Sequence, residues 1–426
     1  MEILVSQTWR LTGEHLWIAR LYTSLFWVLG GLALFFAARE LASTGSALLA
    51  TLIYLFVPFG VIASRAFQPD PLMVALIIFS LWALLRWQNT GQWKWAILFG
   101  LFSGLALFVK NLSVFIILGA FLGVLMGYVG LKRAFGSVQV WLMGLLLVLP
   151  VGAYTIFGLV SGSLGGQFSL RFFPALWRDP SFYFSWQSLM TVAVGFGVWF
   201  LGFIGIFIAE RKKERPILVG MWLGYLVFGF TFSYHFITHD YYHLPFIPVA
   251  VLSFAPVIKV ILDRFHALNP GLFPRAVLIF WLVAGTAVQC YMSYARLTKD
   301  DYRHEVAFWE EIGDLLGHES NVIGLTQDYG YRLAYWGWQS SSAWFTTGDM
   351  EVRYLAGQQL DVEEIFTEDI AGKDYFVVTA FGEFDSQPLI KDILYSNYPV
   401  FAETDEYIIF DLTKKSSLQV PVSGLL

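Results

Sequence analysis

The chain has 426 residues, of which 57% are hydrophobic, 18% aromatic and only 14% charged, and its mean hydropathy is +0.61. Soluble domains carry roughly 25% charged residues, so this composition excludes an ordinary soluble protein. Residues 1–296 hold 19 Lys and Arg against 9 Asp and Glu, whereas residues 297–426 hold 8 against 23, which predicts a slightly basic membrane part followed by an acidic, water-soluble one and leaves no basic patch for nucleic acid.

In chain order, residues 1–14 are mixed polar sequence with no basic stretch leading into a short apolar core, so no signal peptide is expected there. Windows of about 19 residues then give ten apolar segments, near 17–38, 45–64, 71–87, 93–109, 112–128, 139–160, 188–208, 216–234, 244–262 and 275–295. Alternate connections carry 12 and 7 basic residues, the first set including Arg211, Lys212, Lys213 and Arg215. The positive-inside rule places that set in the cytoplasm. The stretch 65–70, Lys110, the loop 161–187, the segment 234–243 and the tail are then expected outside. The tail reads as a small α/β domain, with a helix over 301–316, strand-like runs at 321–326, 375–379 and 407–412, and a helical pattern over 388–395. It carries no Gly-rich phosphate loop, His/Cys cluster or nucleophile elbow. The single cysteine, Cys290, excludes intrachain disulfides and multi-thiolate metal sites.

Three places on the expected outer face combine charge with apolar surroundings. Between the second and third segments stands Arg65-Ala66-Phe67-Gln68-Pro69-Asp70, a connection too short to carry its charges into solvent, and an ionisable group so placed is a functional candidate. Asp70 followed by Pro71 also suits a helix N-cap with proline at N1; a cap would hold the carboxylate rigidly, as a general base or an orienter of a divalent metal ion requires. Lys110 closes the fourth segment almost without a turn. It is placed either to snorkel or to bind a lipid phosphate as a point charge. Three of the seven histidines, His235, His239 and His243, fall in one outer segment with Asp240, Tyr234, Tyr241 and Tyr242. An interfacial aromatic belt explains the tyrosines but not the histidines. The spacing matches no zinc pattern, and binding of phosphate and sugar hydroxyls fits better. Arg20 is placed to snorkel or to pair with a lipid phosphate, and Arg171 and Arg178, in the aromatic-rich loop 168–186, are placed to lie on the membrane surface or to shape an acceptor groove.

Four pieces in order resemble bacterial members of the dolichyl-phosphate-mannose–protein mannosyltransferase-like family, GT-C-type membrane glycosyltransferases related to the aminoarabinose transferase of lipid A. They are Gly13-Glu14-His15-Leu16-Trp17-Ile18-Ala19-Arg20-Leu21, Arg65-Ala66-Phe67-Gln68-Pro69-Asp70-Pro71-Leu72-Met73, Gly104-Leu105-Ala106-Leu107-Phe108-Val109-Lys110 and His239-Asp240-Tyr241-Tyr242-His243-Leu244-Pro245. The resemblance covers roughly residues 1–260. It implies a multi-pass α-helical GT-C fold over 1–296 and a variable extracytoplasmic α/β domain over 297–426, in the cell (inner) membrane. It further implies transfer of a sugar from a polyprenyl-phosphate carrier to an acceptor that the sequence does not identify. Asp70 would be the catalytic carboxylate, Lys110, Arg20 and Arg65 the cations near the carrier phosphate, and His235, His239, Asp240, Tyr241, Tyr242 and His243 the cavity lining. No cofactor is required by this reading, though a divalent metal is an open possibility. Family members open with a span and an acidic outer loop that this chain lacks, so the resemblance implies a shortened start and an incomplete acidic pair. A transporter or flippase, or an inactive relative, are the alternatives; charges gathered at one outer edge, rather than at the midplane, favour the transferase.

Overall fold

The computed structural model describes residues 1–161, 170–210, 212–269 and 271–415. Arg211 and residues 162–169 of the loop 161–187 lie outside the described residues. The chain divides into two compact units, Met1–Lys299 and Asp300–Leu426.

The first unit is helical. Its elements are α1 (Glu2–Thr12), α2 (Leu16–Leu41), α3 (Thr44–Phe56), α4 (Pro58–Ala63), α5 (Asp70–Thr90), α6 (Trp93–Val109), α7 (Val114–Val124) and α8 (Leu131–Phe135). They continue as α9 (Val138–Val160), α10 (Pro180–Val194), α11 (Phe196–Ile208), α12 (Arg215–Thr231), α13 (Ser233–Thr238), α14 (Phe246–Ala267) and α15 (Leu272–Leu297). Six helical stretches among the described residues are long and apolar enough to cross a membrane, α10 with α11 forms a bent seventh, and α3, α6 and α12 are shorter apolar helices. All ten apolar segments read from the sequence fold as helix, and the chain is a multi-pass membrane protein.

Two segments that read as continuous are broken. Pro58 has no N–H to give and opens α4 at its first position, so the segment 45–64 splits at Val57. At Gly195, with φ of 82°, α10 and α11 meet at a bend of 99°; an L side chain would be strained in that conformation.

Helix contact is made through glycines. Residues 119, 123 and 127 of the chain and residues 220 and 224 are glycines at four-residue spacing, which puts each set on one helix face. Gly119 abuts the carbonyl of Gly220, Gly123 that of Pro216, and Gly224 that of Phe115. Such small-residue faces let backbones approach where lipid supplies no hydrophobic drive between helices. Gly220→Val is therefore expected to cost stability by about 1–3 kcal/mol or more, seen as a lost monodisperse peak in detergent gel filtration. Gly144→Val on α9, where a side chain meets open space, should keep the wild-type profile.

The second unit carries α16 (Glu305–Leu316), β1 (Val322–Leu325), α17 (Tyr331–Trp336), β2 (Ser341–Ala343), α18 (Thr347–Leu355), α19 (Val362–Asp369), β3 (Tyr375–Val378), α20 (Phe381–Asp385), α21 (Pro388–Asn397), β4 (Val400–Glu403) and β5 (Ile408–Asp411). The sheet order is β2-β1-β3-β5-β4. Strands β2, β1 and β3 run parallel, β5 is antiparallel to β3, and β4 is antiparallel to β5. Alternate residues feed two cores: Ile323, Leu325, Phe376 and Phe410 pack with Phe366, Phe384 and Ile390, and Val322, Val377 and Ile409 pack with Trp309, Ile312 and Leu333. Helices thus cover both faces, as a parallel sheet buried on both sides requires.

Candidate active site

Helices α5 and α6 are joined by Gly91 and Gln92, with Gly91 left-handed at φ 64°. The pair is antiparallel, so the start of α5 and the end of α6 lie at the same end of the bundle. Asp70 is the first residue of α5 and Lys110 the residue that closes α6. A carboxylate at a helix start and a cation at a helix end each complement the local dipole. Lys110 takes extended backbone (φ −157°, ψ 114°) before the 3₁₀ turn Asn111–Ser113. Its ammonium donates to both oxygens of Asp70, at 2.8 and 3.0 Å. The Asp70 side chain is 3% exposed and that of Lys110 21%.

This geometry corrects the capping expectation. Pro69 occupies the N-cap position and no side chain caps α5, because the carboxylate turns to the lysine instead. Lys110 also differs from a free phosphate-binding cation: its charge is already matched by Asp70. The same ammonium lies over the ring of Tyr241 at 4.8 Å and of Tyr242 at 5.9 Å, close enough for cation–π attraction.

The tyrosines stand on the 3₁₀ turn Asp240–His243, and α13 precedes them. His235 and His239, one helical turn apart, have ring centroids 5.4 Å apart, and His235 stacks on Tyr242 at 5.9 Å. Burial, then the neighbouring His239 and Arg171, push the His235 imidazole down to about 4. Burial also lowers His239, with Lys110 acting in the same direction and Asp240 against it. Both rings are held toward the neutral form. Nδ1 of His235 is buried with no hydrogen-bond partner, an arrangement that costs free energy unless a ligand or water supplies one.

Arg171 completes this corner and was not singled out with the site residues. The stretch that carries it is tied to α12 and α13: Ser233 Oγ donates to Phe173 O at 3.3 Å, and Trp177 Nε1 donates to Phe230 O at 3.2 Å. Arg171 is half-buried and has no ion-pair partner among the described residues. Its sequence signal, an arginine amid aromatics on the face poor in positive charge, was visible but did not say which helix it would meet.

Four expected members stand apart from this cluster. His243 is fully buried rather than cavity-lining. Its Nε2 lies 2.8 Å from Phe236 O, which can only accept, and its Nδ1 lies 2.6 Å from Tyr225 Oη. Trp186 Nε1 donates to the same hydroxyl at 3.1 Å, so His243 holds the segment in place. Arg20 and Arg65 are exposed and make no ion pair among the described residues. Asp240 is exposed beside His239.

Among the described residues no group of three His, Cys, Asp or Glu side chains could hold a metal ion, and both Asp70 oxygens are already taken by Lys110.

Residues 3–156 match the model of the family described as dolichyl-phosphate-mannose-protein mannosyltransferase. Curated protein sequences give no match. Among solved structures, the chain is similar to ArnT from Cupriavidus metallidurans bound to undecaprenyl phosphate, with a TM-score of 0.57 and 16% identity over 94% of this chain and 85% of that one. Its apo state gives 0.54 and 18% over the same shares. The apo oligosaccharyltransferase of Archaeoglobus fulgidus gives 0.52 and 14% over 95% of this chain and 64% of that one. The chain has the GT-C fold of membrane glycosyltransferases, and its amino-terminal third carries the dolichyl-phosphate-mannose–protein mannosyltransferase pattern.

Proposed function

We propose that the protein transfers a sugar from a polyprenyl-phosphate carrier to an acceptor hydroxyl or amine at the outer face of the cell membrane. The observation that carries this reading is the buried Asp70–Lys110 pair together with the buried His235 Nδ1 that has no hydrogen-bond partner and Arg171, which has no ion-pair partner among the described residues. The acceptor oxygen or nitrogen attacks the anomeric carbon, and the bond from that carbon to the phosphate oxygen breaks with inversion. Its electron pair leaves on the carrier phosphate, and the proton of the attacking group passes to Asp70. Arg171 meets the growing negative charge of the leaving phosphate, the kind of fixed electrostatic complement that lowers such barriers most. Lys110 holds Asp70 in position through both of its oxygens. The neutral His235 and Tyr241 supply hydrogen bonds for phosphate or sugar oxygens. The match to a structure bound to undecaprenyl phosphate supports the choice of carrier. The excess of basic residues on the alternate connections supports the outer placement of this site and of the second unit.

Membranes containing the protein, given polyprenyl phosphate labelled on its sugar, should release free carrier phosphate as the sugar is transferred; carrier that crosses the bilayer uncleaved would instead make the protein a flippase. Arg171→Gln should raise the apparent KM for the donor about tenfold or more, the worth of a hydrogen bond to a charged group, with a smaller effect on the acceptor. Arg20→Gln, at an exposed position, should stay within about twofold of wild type. Equal effects of the two changes would remove Arg171 from the phosphate site.

A further inference from the structure

The helix breaks at Val57 and at Gly195 open onto one groove. It has a volume of about 480 Å³ and is lined by Val57, Pro58 and their neighbours in α3 and α4, by Thr191 and Gly195 at the α10–α11 bend, and by one side of α15. That volume falls within the roughly 300–1,000 Å³ of sites that take a small ligand. Interrupted helix in a membrane is tolerated where it lines a cavity or is buried in protein, so two breaks on one cavity mark it as part of the structure. Helix α15 is otherwise scarcely covered, with Phe280, Val283, Val288 and Tyr291 exposed.

The groove is graded in polarity. Thr286, Gln289 and Arg296 lie along one stripe of α15, at offsets of 3 and 7 residues, and all three line the cavity. The stripe is about 15 Å long at 1.5 Å per residue. Arg296 is in the last turn of α15, and it is exposed with no ion-pair partner among the described residues. The rest of the wall is apolar: Leu52, Ile53, Phe56, Val192, Val198 and Leu282. Neither Asp70 nor Lys110 belongs to it. An apolar trough that ends in a guanidinium without an ion-pair partner among the described residues, at the level where α15 leaves the membrane, complements a molecule with one fatty chain and an anionic head.

We propose that this groove binds an anionic glycerophospholipid, with its phosphate against Arg296 and one acyl chain along the breaks at Val57 and Gly195. The lipid would fill the space that the two bends leave and hold α15 against the bundle. The inference stands on this groove alone and is independent of the transferase reading.

The test is a titration of the detergent-purified full chain with short-chain phosphatidylglycerol or phosphatidylcholine, read as the thermal midpoint. Phosphatidylglycerol should stabilise the wild type at lower concentration than phosphatidylcholine. Arg296→Gln should weaken phosphatidylglycerol about fivefold, the worth of one basic group at an anionic lipid, and leave phosphatidylcholine unchanged. Gly285 lines the groove and faces open space, so Gly285→Trp should fill it, abolishing stabilisation by both lipids while the lipid-free midpoint stays near wild type. Equal stabilisation by the two lipids, or an Arg296→Gln protein that still prefers phosphatidylglycerol, would overturn the proposal. Competition by polyprenyl phosphate but by neither phospholipid would overturn it too, and give the groove to the carrier.

Discussion

The expected result of Asp70→Asn is a fall in kcat of about 10²–10⁴-fold, the usual contribution of a positioned general base, with a thermal midpoint near that of wild type. The amide keeps the size of the carboxylate and one oxygen that still accepts from Lys110, whose ammonium lies 2.8 Å from the native group. What it loses is the ability to take a proton. Donor binding should change little, because Arg171, His235 and Tyr241 are untouched. The measurement is transfer from a labelled polyprenyl-phosphate sugar, with kcat and donor KM determined separately, alongside detergent thermal unfolding. A variant that retains kcat would leave Asp70 as no more than the lysine's anchor.

Both Asp70 and Lys110 stand out in the sequence, but that they pair with each other does not. Asp70 before Pro71 looks like a cap and proline at N1, and that reading assigns the side chain to its own helix. The structure moves the start of α5 by one residue and spends the carboxylate on Lys110, 40 positions away. Local pattern cannot choose between a backbone partner and a distant side chain; the antiparallel α5–α6 hairpin makes the choice. His243 shows the same limit. It lies within the polar run 239–245, yet the 3₁₀ turn points it inward onto Tyr225 and Phe236, while Tyr241 and Tyr242 face Lys110.

Hydrophobicity was enough to find the membrane helices, because every spanning segment must satisfy its backbone internally and be apolar on the outside. It could not show the bends, since the segments 45–64 and 188–208 stay apolar across them; only Pro58 and Gly195 signal the breaks. In the second unit the central strands were readable as the buried runs 321–326, 375–379 and 407–412. Edge strands β2 and β4 were not: Ser341-Ser342-Ala343 has no apolar pattern, and Val400–Glu403 is mostly exposed. The helix α18 follows a capping box of Thr346 and Asp349, a signature that is present in the sequence.

Lys110→Met should separate stability from chemistry. Removing the ammonium leaves the Asp70 carboxylate buried, at 3% exposure, without its counter-charge. Breaking a buried pair from one side typically costs about 3–5 kcal/mol, because the remaining charge is uncompensated. The single variant is therefore expected to unfold earlier and to lose activity, since the carboxylate loses the cation that holds it in place. Adding Asp70→Asn to it deletes the buried charge, so the double variant should recover most of the lost stability. Its transfer activity should remain as low as that of Asp70→Asn alone. Stability that rises while activity does not would place the coupling in the ion pair and the chemistry in the carboxylate. If Lys110→Met were as stable as wild type, the pair would not exist in the folded protein. If the double variant regained activity, the carboxylate would not be the base. The pair couples through direct contact, so the two single effects should not add, and the size of that departure, measured by unfolding in detergent, gives the strength of the Asp70–Lys110 interaction.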